Sequence, residues 1–521
     1  MPDGIVLVGM PASGKTSVGR VVAERLRRPF VDTDELVARR LGMPVPAYLE
    51  RHGEAAFRAV EATAVAEACG IDGAVIAAGG GAVIDPLNRW ALWHHGSVGW
   101  LDVTPERLVE RLRSDPVARP TFRPYEAGRL AAVLAERAPA YRASDARLDA
   151  ERTPDAIANN VMRIRRAGNA RRLLDLEVAR HHPIGPPATQ VVMGVELDAG
   201  AHPGGVVAVV DERVVSSLAR LVAALSPNAC LAIRAGERTK RLRGVERILE
   251  WLADERIERG TPLAAIGGGT IGDLVGTAAA LYARGLPLVQ VPTTWLAQAD
   301  SAIGGKVGVD LRAAKNAAGA FWPPVSVLSD IAALRTLPAR LRRDGMAESV
   351  KSALIGDPAL WRLIEERGAA ALRDDEAARY AIVERSARLK LGVCARDPFE
   401  AGERRTLNLG HTIGHALEVE SRYRLRHGSA VALGLRGVAR IAAGRGGDPE
   451  LAPRLDALLR GLGFTLRHRF DPEAAMAAML GDKKRLAGRQ RWILPMEIGR
   501  VVEADDVSDD ELRSALTEIR A

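Results

Sequence analysis

Aromatic residues make up only 4% of the 521-residue chain, which leaves few platforms for stacking nucleobases. Cysteine occurs three times, at Cys69, Cys230 and Cys394, with no CxxC pair. That excludes a disulfide scaffold and argues against a thiolate metal site, so buried apolar thiols are expected. No apolar run reaches about 18 residues, and the opening MPDGIVLVGM has neither a basic leader nor a cleavage site. No membrane span or export signal is expected, and the chain reads as cytoplasmic. Lysine is the scarcest charge. Of 73 Lys and Arg residues only eight are lysines: Lys15, Lys240, Lys306, Lys315, Lys351, Lys390, Lys483 and Lys484. Arginine replaces lysine at little cost on a solvated surface, but not where a compact ammonium is needed. Each remaining lysine therefore marks a position to inspect. The 65 arginines equal the 65 acidic residues in number, so the formal charge of +8 is numerically the lysines. Acidic and basic residues are interspersed through residues 1–166, and the short run Arg163, Arg165, Arg166, Arg171 and Arg172 flanks an expected linker. Nucleic-acid binding is not expected.

What is present describes a globular chain of several domains. Hydrophobic residues account for 47% and charged residues for 26%, and the length exceeds what one core supports. Apolar runs at Ile5–Gly9, Val75–Ala78 and Ser97–Asp102 alternate with helical patterns, including 104–113 and 126–147. This predicts a parallel α/β sheet with flanking helices over residues 1–167. The polar stretch Ser114–Pro124 reads as a lid. Residues 168–188, basic and then proline-rich with no clear strand, read as a linker. A second α/β pattern follows over 189–335, with strands expected at Gly205–Val210, Ala229–Arg234, Leu263–Ile266 and Leu288–Val291. Residues 336–521 read as mostly α-helical.

Gly9-Met10-Pro11-Ala12-Ser13-Gly14-Lys15-Thr16 matches GxxxxGK[ST] between a strand and a helix. Backbone N–H groups of such a loop cradle phosphates, the lysine reaches the β- and γ-phosphates, and the threonine ligates Mg²⁺. Asp32 and Asp34 stand two apart, on one face if extended. One could order Mg²⁺ and the other accept a hydroxyl proton, or the pair could simply cap a helix. Arg58 and Glu61, at i and i+3, could pair. Gly79, Gly80 and Gly81 after a strand let a small substrate approach the backbone.

Over residues 1–166 the chain resembles shikimate kinase, through the P-loop, FxDxD, GxxxFRxxE (Gly53–Glu61), GGGA (Gly79–Ala82) and RxxxY (Arg137–Tyr141). The resemblance implies ATP with Mg²⁺ as phosphoryl donor, bound by Gly9, Ala12, Ser13, Gly14, Lys15, Thr16 and Ser17, with Thr16 and Asp32 at the metal. It implies Asp34 as the base at the shikimate ring and Arg58 and Arg137 on the shikimate carboxylate. Gly79, Gly80 and Gly81 would line the ring, and Arg119 would be the lid arginine on the transferring phosphoryl group. Thr121 and Phe122 stand where aliphatic residues are usual. A gluconate or nucleoside monophosphate kinase is the rival reading.

The second pattern carries a glycine turn, Gly267-Gly268-Gly269, followed by Asp273, and the stretch Gly236-Glu237-Arg238-Thr239-Lys240. A glycine turn after a strand suits a pyrophosphate. Lys306 and Lys315 lie within ten residues of one another, and Glu348 and Lys351 share a helix side. Arg404, Asn408, His411 and His415 recur at intervals of four, three and four, expected on one helical face, with His427 following. Glu348, His411 and His427 could form a His₂Glu zinc site with an open position; alternatively His411 and His415 are both ligands. Interleaved cations point to an anionic, phosphorylated substrate.

Residues 189–521 resemble 3-dehydroquinate synthase through GExxK, GGGxxGD, TTWLAQ, DSxxGGK, KNxxGxF, TLP, GxAExxK, RxxLNxGHTxGHALE, HGxAVA and DKK. The resemblance implies zinc (or cobalt) on Glu348, His411 and His427. It places NAD⁺ on Glu237, Lys240, Gly267, Gly268, Gly269, Asp273, Thr293, Thr294 and Lys315. The substrate, 3-deoxy-D-arabino-heptulosonate 7-phosphate, would meet Asp300, Lys306, Asn316, Lys351, Lys390, Arg404, Asn408 and His415, with Lys483 or Lys484 closing the pocket. Arg284 would reach a neighbouring subunit's phosphate site, implying a homodimer. His415 with Asn408 is the expected proton relay. Ala302, Ile303 and Asp310 depart from the usual residues and are taken as touching no ligand. Another sugar-phosphate cyclase or a metal-dependent alcohol dehydrogenase is the rival reading. The expectation is a bifunctional enzyme of aromatic amino-acid biosynthesis, acting on small molecules without nucleic acid or membrane.

Overall fold

The computed structural model describes residues 4–114, 124–164, 170–179, 188–197, 205–225, 227–236, 238–312, 314–480, 485–486 and 489–521. They form two compact units, Met1–Glu177 with Val192–Leu197, and Val178–Val191 with Asp198–Ala521.

In the first unit, strands β1 (Gly4–Val8), β2 (Phe30–Asp32), β3 (Val75–Ala77), β4 (Gly96–Asp102) and β5 (Ala146–Asp149) make a parallel sheet of order β2-β3-β1-β4-β5. All five residues of β1 are buried, as a central parallel strand covered on both faces requires. The chain leaves β1 towards β2 and β3 on one side and returns to β4 on the other. The crevice at the carboxyl end of β1 is thus where an α/β sheet binds ligands. The helical reading of 126–147 is corrected at its end. The helix stops at Tyr141, and Ala146–Asp149 pairs with β4 as the edge strand. Four residues with one buried side chain carry too little pattern to show this in the sequence.

The second sheet comprises β6 (Arg171–Ala179), β7 (Ala188–Val195), β8 (Val207–Asp211), β9 (Ala229–Ile233), β10 (Leu263–Gly267), β11 (Leu288–Pro292) and, after an antiparallel hairpin of β12 (Lys306–Val309) and β13 (Ala318–Phe321), β14 (Ser326–Asp330). Its order is β6-β7-β14-β11-β10-β8-β9. β6 corrects the linker reading of 168–188. Its alternation of charge with Leu and Val resembles a solvated linker, yet Leu173 and Leu174 are fully buried. Beyond residue 335 the helices Ala339–Gly356, Pro358–Ala371, Glu376–Arg396, His411–Glu420 and His427–Gly444 dominate, with an antiparallel pair at Trp492–Glu497 and Arg500–Ala504. Two contacts fix these helices at backbone distance. A Cβ on Gly434 would lie 1.9 Å from Gly410 O, and one on Gly428 would lie 2.3 Å from Asp344 Cα. Among the described residues no helix is long and apolar enough to cross a membrane.

Candidate active sites

In the first unit the loop after β1 closes on itself. Gly9 and Gly14 have φ of 147° and 96°, which glycine tolerates. Buried Lys15 donates from Nζ to Gly9 O (3.0 Å) and Met10 O (2.9 Å). Thr16 Oγ1 donates to Asp32 Oδ2 at 2.6 Å, while Asp32 Oδ1 accepts from the Asp34 and Glu35 N–H groups. Asp32 is therefore both a helix cap and the partner of Thr16. The expectation of two carboxylates on one extended face is corrected, because the chain turns helical at Thr33 and Asp34 lies in the first helical turn.

That turn sends Asp34 to the glycines. A Cβ on Gly79 would meet Asp34 Oδ1 at 2.5 Å, one on Gly80 would meet Arg137 Nη1 at 3.2 Å, and one on Gly81 would meet Arg58 Nη1 at 3.0 Å. Asp34, Arg58, Arg137 and Gly79–Gly81 thus share one place. Arg58 does pair with Glu61, at 2.8 Å, and with Glu54, at 3.1 Å. Tyr141 donates to Gly80 O at 2.8 Å and accepts from Arg137; burial pushes its hydroxyl up to about 12. A cleft of about 420 Å³ joins Ser13–Ser17 to Asp32, Asp34, Arg111 and Pro154. Arg111, which donates to Ala12 O and Ala150 O, had no motif to reveal it in the sequence. The Ser13 hydroxyl is buried with no hydrogen-bond partner among the described residues. With the helix N-terminus at Lys15, that orphaned donor fits a phosphate group. Arg119 and the rest of the expected lid at 115–123 lie outside the described residues.

In the second unit three ligand atoms converge. The donor atoms of Glu348, His411 and His427 lie within 4.8 Å of one another. Glu348 Oε1 is 2.9 Å from His427 Nε2 and 3.3 Å from His411 Nε2. The other ring nitrogens are engaged: His411 Nδ1 donates to Leu409 O at 3.0 Å, and His427 Nδ1 faces Glu418 Oε2 at 3.5 Å. These outer contacts aim both Nε2 atoms inward, as second partners of metal-binding histidines do. Burial disfavours charge on either ring and holds His411 below the ordinary range. At His427 the hydrogen bonds to Glu348 and Glu418 outweigh burial and push it up to about 10. His415, Glu418 and His427 form a second cluster of the same dimensions. It shares His427 with the first but does not join His415 to His411, the alternative read from the sequence. The donor set, one carboxylate and two imidazoles, suits Zn²⁺.

Cations ring this centre. Lys351 Nζ lies 2.5 Å from Glu348 Oε2 and 3.5 Å from Asp300 Oδ1, and Lys390 Nζ lies 3.0 Å from Asp300 Oδ1. Burial opposes the Lys351 charge, but Asp300 and Glu348 outweigh it and raise its pKa. Lys306 pairs with Glu400, whose other oxygen accepts from Asn408 Nδ2 at 2.9 Å. Burial leaves the Lys306 ammonium below the ordinary range despite Glu400. Glu400 was missed in the sequence because it stands in an irregular stretch outside every motif, at φ 62°. Arg404 is buried and donates to Gly304 O at 2.7 Å. The single helical face expected for Arg404, Asn408, His411 and His415 is corrected. A 3₁₀ turn over Glu403–Asn408 ends before Gly410, at φ 74°, and a separate helix begins at His411.

The glycine turn leads from β10 into helix Gly269–Leu281. A Cβ on Gly268 would meet Thr294 and one on Gly269 would meet Ser301 Oγ. Lys240 Nζ pairs with Asp273 Oδ2 and donates to Asn316 Oδ1, both at 2.6 Å. The Thr293 and Ser301 hydroxyls are buried without hydrogen-bond partners among the described residues. An open helix N-terminus flanked by orphaned hydroxyls fits a dinucleotide pyrophosphate. Lys315 lies 3.5 Å from Glu418, so it faces the metal ligands' outer partner. Asp310, taken as touching no ligand, accepts from Asn316 N at 2.7 Å and so positions a proposed substrate residue. Arg284 stands exposed in a left-handed turn, outside the cluster. Glu237, Lys483 and Lys484 lie outside the described residues.

Comparison with known proteins agrees with this division. Residues 11–165 match the shikimate kinase family model, residues 230–344 the 3-dehydroquinate synthase N-terminal model, and residues 345–485 the corresponding C-terminal model. A 3-dehydroquinate synthase of Cereibacter sphaeroides is 44% identical over 303 residues, 56% of this chain and 82% of the relative. A 2-epi-valiolone synthase of Actinosynnema mirum is 41% identical over 298 residues, 56% of this chain and 78% of the relative. A solved 2-epi-5-epi-valiolone synthase from Streptomyces hygroscopicus subsp. jinggangensis, with NAD⁺ and Zn²⁺ bound, superimposes with a TM-score of 0.60 at 29% identity, covering 65% of this chain and 99% of the other. The chain belongs to the 3-dehydroquinate synthase family and carries ahead of that part a shikimate kinase domain, two enzymes of one biosynthetic route in a single polypeptide.

Proposed function

We propose that the first unit phosphorylates shikimate with ATP, and that the second converts 3-deoxy-D-arabino-heptulosonate 7-phosphate to 3-dehydroquinate with release of phosphate. The observation that carries the second assignment is a metal-binding triad adjoining the ammonium groups of Lys351 and Lys390 around Asp300. A dehydrogenase of neutral alcohols has no use for so many cations. The shikimate kinase domain in the same chain favours this substrate over that of a valiolone synthase.

In the kinase, ATP with Mg²⁺ supplies the phosphoryl group. Lys15 exchanges its two backbone carbonyls for phosphate oxygens, while Thr16 and Asp32 face the cation. Asp34 takes the proton of the attacking hydroxyl, and Arg58 and Arg137 hold the shikimate carboxylate between them. Glu61 and Tyr141 fix those two guanidinium groups. Arg119 covers the phosphates.

In the synthase, bound zinc supplies a Lewis acid and NAD⁺ a reversible hydride acceptor. Glu348, His411 and His427 would hold the zinc; Glu237, Lys240, Gly267–Gly269, Asp273, Thr293, Thr294 and Lys315 would hold the dinucleotide. Lys306, Arg404, Asn316 and Lys390 bind the anionic ends of the substrate, and Lys351 orients it beside the metal. Asn408 and His415 relay protons, with Glu400 fixing Asn408 and Lys306. Lys483 or Lys484 closes the pocket, and Arg284 reaches the phosphate site of a second copy in a cytoplasmic homodimer.

The test is a pair of assays on the full chain with zinc and NAD⁺. Phosphate release from the heptulosonate phosphate, with no net NADH, and ATP-dependent phosphorylation of shikimate are expected. Release from sedoheptulose 7-phosphate in place of the heptulosonate would overturn the substrate assignment.

A further inference from the structure

Arginines in the helical part of the second unit mostly meet carboxylates. Arg436 and Arg440 share Asp456, Arg445 holds Asp506 and Glu511, Arg385 holds Asp357, and Arg367 holds Asp375. One cleft breaks this pattern. A concavity of about 380 Å³ is lined by Arg340, Arg343, Arg424, Arg426, His468 and Arg469, against only two carboxylates, Asp344 and Glu420. Both are already engaged. Asp344 lies 3.5 Å from Arg426 Nη1, and Glu420 Oε1 accepts from Asp471 N at 3.2 Å. Arg340 and Arg469 make no ion pair or side-chain hydrogen bond among the described residues, and Arg343 Nε is buried without a hydrogen-bond partner among them. Guanidinium groups brought together from three chain segments, with too few acids to balance them, make a potential that draws in an anion. Planar forks match phosphate oxygens in pairs.

We propose that this cleft is a second anion site, distinct from the catalytic cavity, for a phosphate or phosphate-monoester dianion. Its volume holds such a group with a small organic substituent. Two of the segments that line it continue to residues of the metal-binding triad. Arg340, Arg343 and Asp344 precede Glu348 on helix Ala339–Gly356, and Arg424 and Arg426 run directly into His427. These two segments meet backbone to backbone at Gly428 and Asp344. A dianion spanning Arg340 and Arg424 ties them together and slows loss of the metal; this coupling rests on the zinc reading above, whereas the anion site does not.

The site is read by isothermal titration of inorganic phosphate into the full-length holoenzyme, compared with Arg424→Ala/Arg469→Ala, neither residue being part of the catalytic machinery. The wild type should bind one more phosphate per chain than the variant, with turnover in the absence of phosphate unchanged. Arg340→Glu, tested in parallel, should lose the same phosphate. Equal stoichiometry and affinity in all three proteins overturns the site. Glucose 6-phosphate in a second arm distinguishes a monoester from the free ion, whichever binds tighter. Zinc release to a chelator should slow at least threefold with phosphate in the wild type only; an unchanged rate overturns the coupling. A wild type that takes up no zinc overturns the metal reading and leaves the phosphate count as the measure of the cleft.

Discussion

Glu418 Oε2 faces His427 Nδ1 at 3.5 Å, on the side of the ring opposite Glu348. His427 is thereby held between two carboxylates, and burial does not prevent its pKa from reaching about 10. At pH 8 the metal-free ring is an imidazolium, while buried His411 is neutral. A metal ligand must be deprotonated. Zinc binding at pH 8 should therefore release about one proton per chain, and zinc affinity should fall as the pH is lowered. Glu418→Gln removes one negative charge beside the ring, lowers the His427 pKa and reduces the proton release. Titration calorimetry in buffers of differing ionisation heat measures this; identical release in the two proteins would show that Glu418 does not act on the ring.

Removing Glu400 acts on Lys306 in a defined direction. Burial already holds that ammonium below its ordinary pKa, and the Glu400 carboxylate raises it. Without the carboxylate the pKa falls further, and the ammonium is lost at a lower pH. The alkaline limb of the synthase pH–rate profile should move to lower pH in Glu400→Gln, with the kinase profile unmoved. A limb that stays in place would separate Lys306 from substrate binding.

The two arginines beside the triple glycine make a binding prediction. Arg58→Ala and Arg137→Ala each remove a charged hydrogen bond of about 2 kcal/mol, or roughly thirtyfold in the shikimate KM. The ATP KM should change little. An equal loss in both KM values would place these arginines in the nucleotide cleft instead.

Gly434 offers a stability test whose sign is informative. Alanine in a helix interior normally stabilises by about 1 kcal/mol over glycine. Here its Cβ would fall 1.9 Å from Gly410 O, directly beneath the turn that launches His411. Gly434→Ala should destabilise by about 1–3 kcal/mol, the range of an overpacked core. Denaturant unfolding decides, and a gain in stability would show that the two helices have room to part.

The central strands and the motifs of both candidate sites are legible because their signals are local. A phosphate loop, a glycine turn and HxxxH each declare themselves within a few residues. Strand β6 is not, since Arg171–Ala179 is an edge strand paired only with β7, and its charged residues read as a solvated linker. Glu400 was missed for a related reason, and Glu418, though it ends the motif GHALE, was given no role. A single glutamate becomes informative only when the fold brings Lys306 or His427 to it. The face expected for Arg404 to His415 failed because Glu403–Asn408 winds as a 3₁₀ turn and Gly410 then breaks the chain with a left-handed turn before the helix at His411.

Of the six described lysines three are buried and the other three, including exposed Lys306 on Glu400, are engaged in ion pairs. Lys15, Lys351 and Lys390 are buried, and Lys240 and Lys315 lie in ion pairs with Asp273 and Glu418. Reagents that acylate or reductively alkylate amines, which merely decorate the exterior of an ordinary protein, would among the described residues meet no lysine outside the two candidate reaction centres. Labelling of these six amines becomes a report on active-site occupancy, and attachment to a support through them would consume groups proposed to act in turnover.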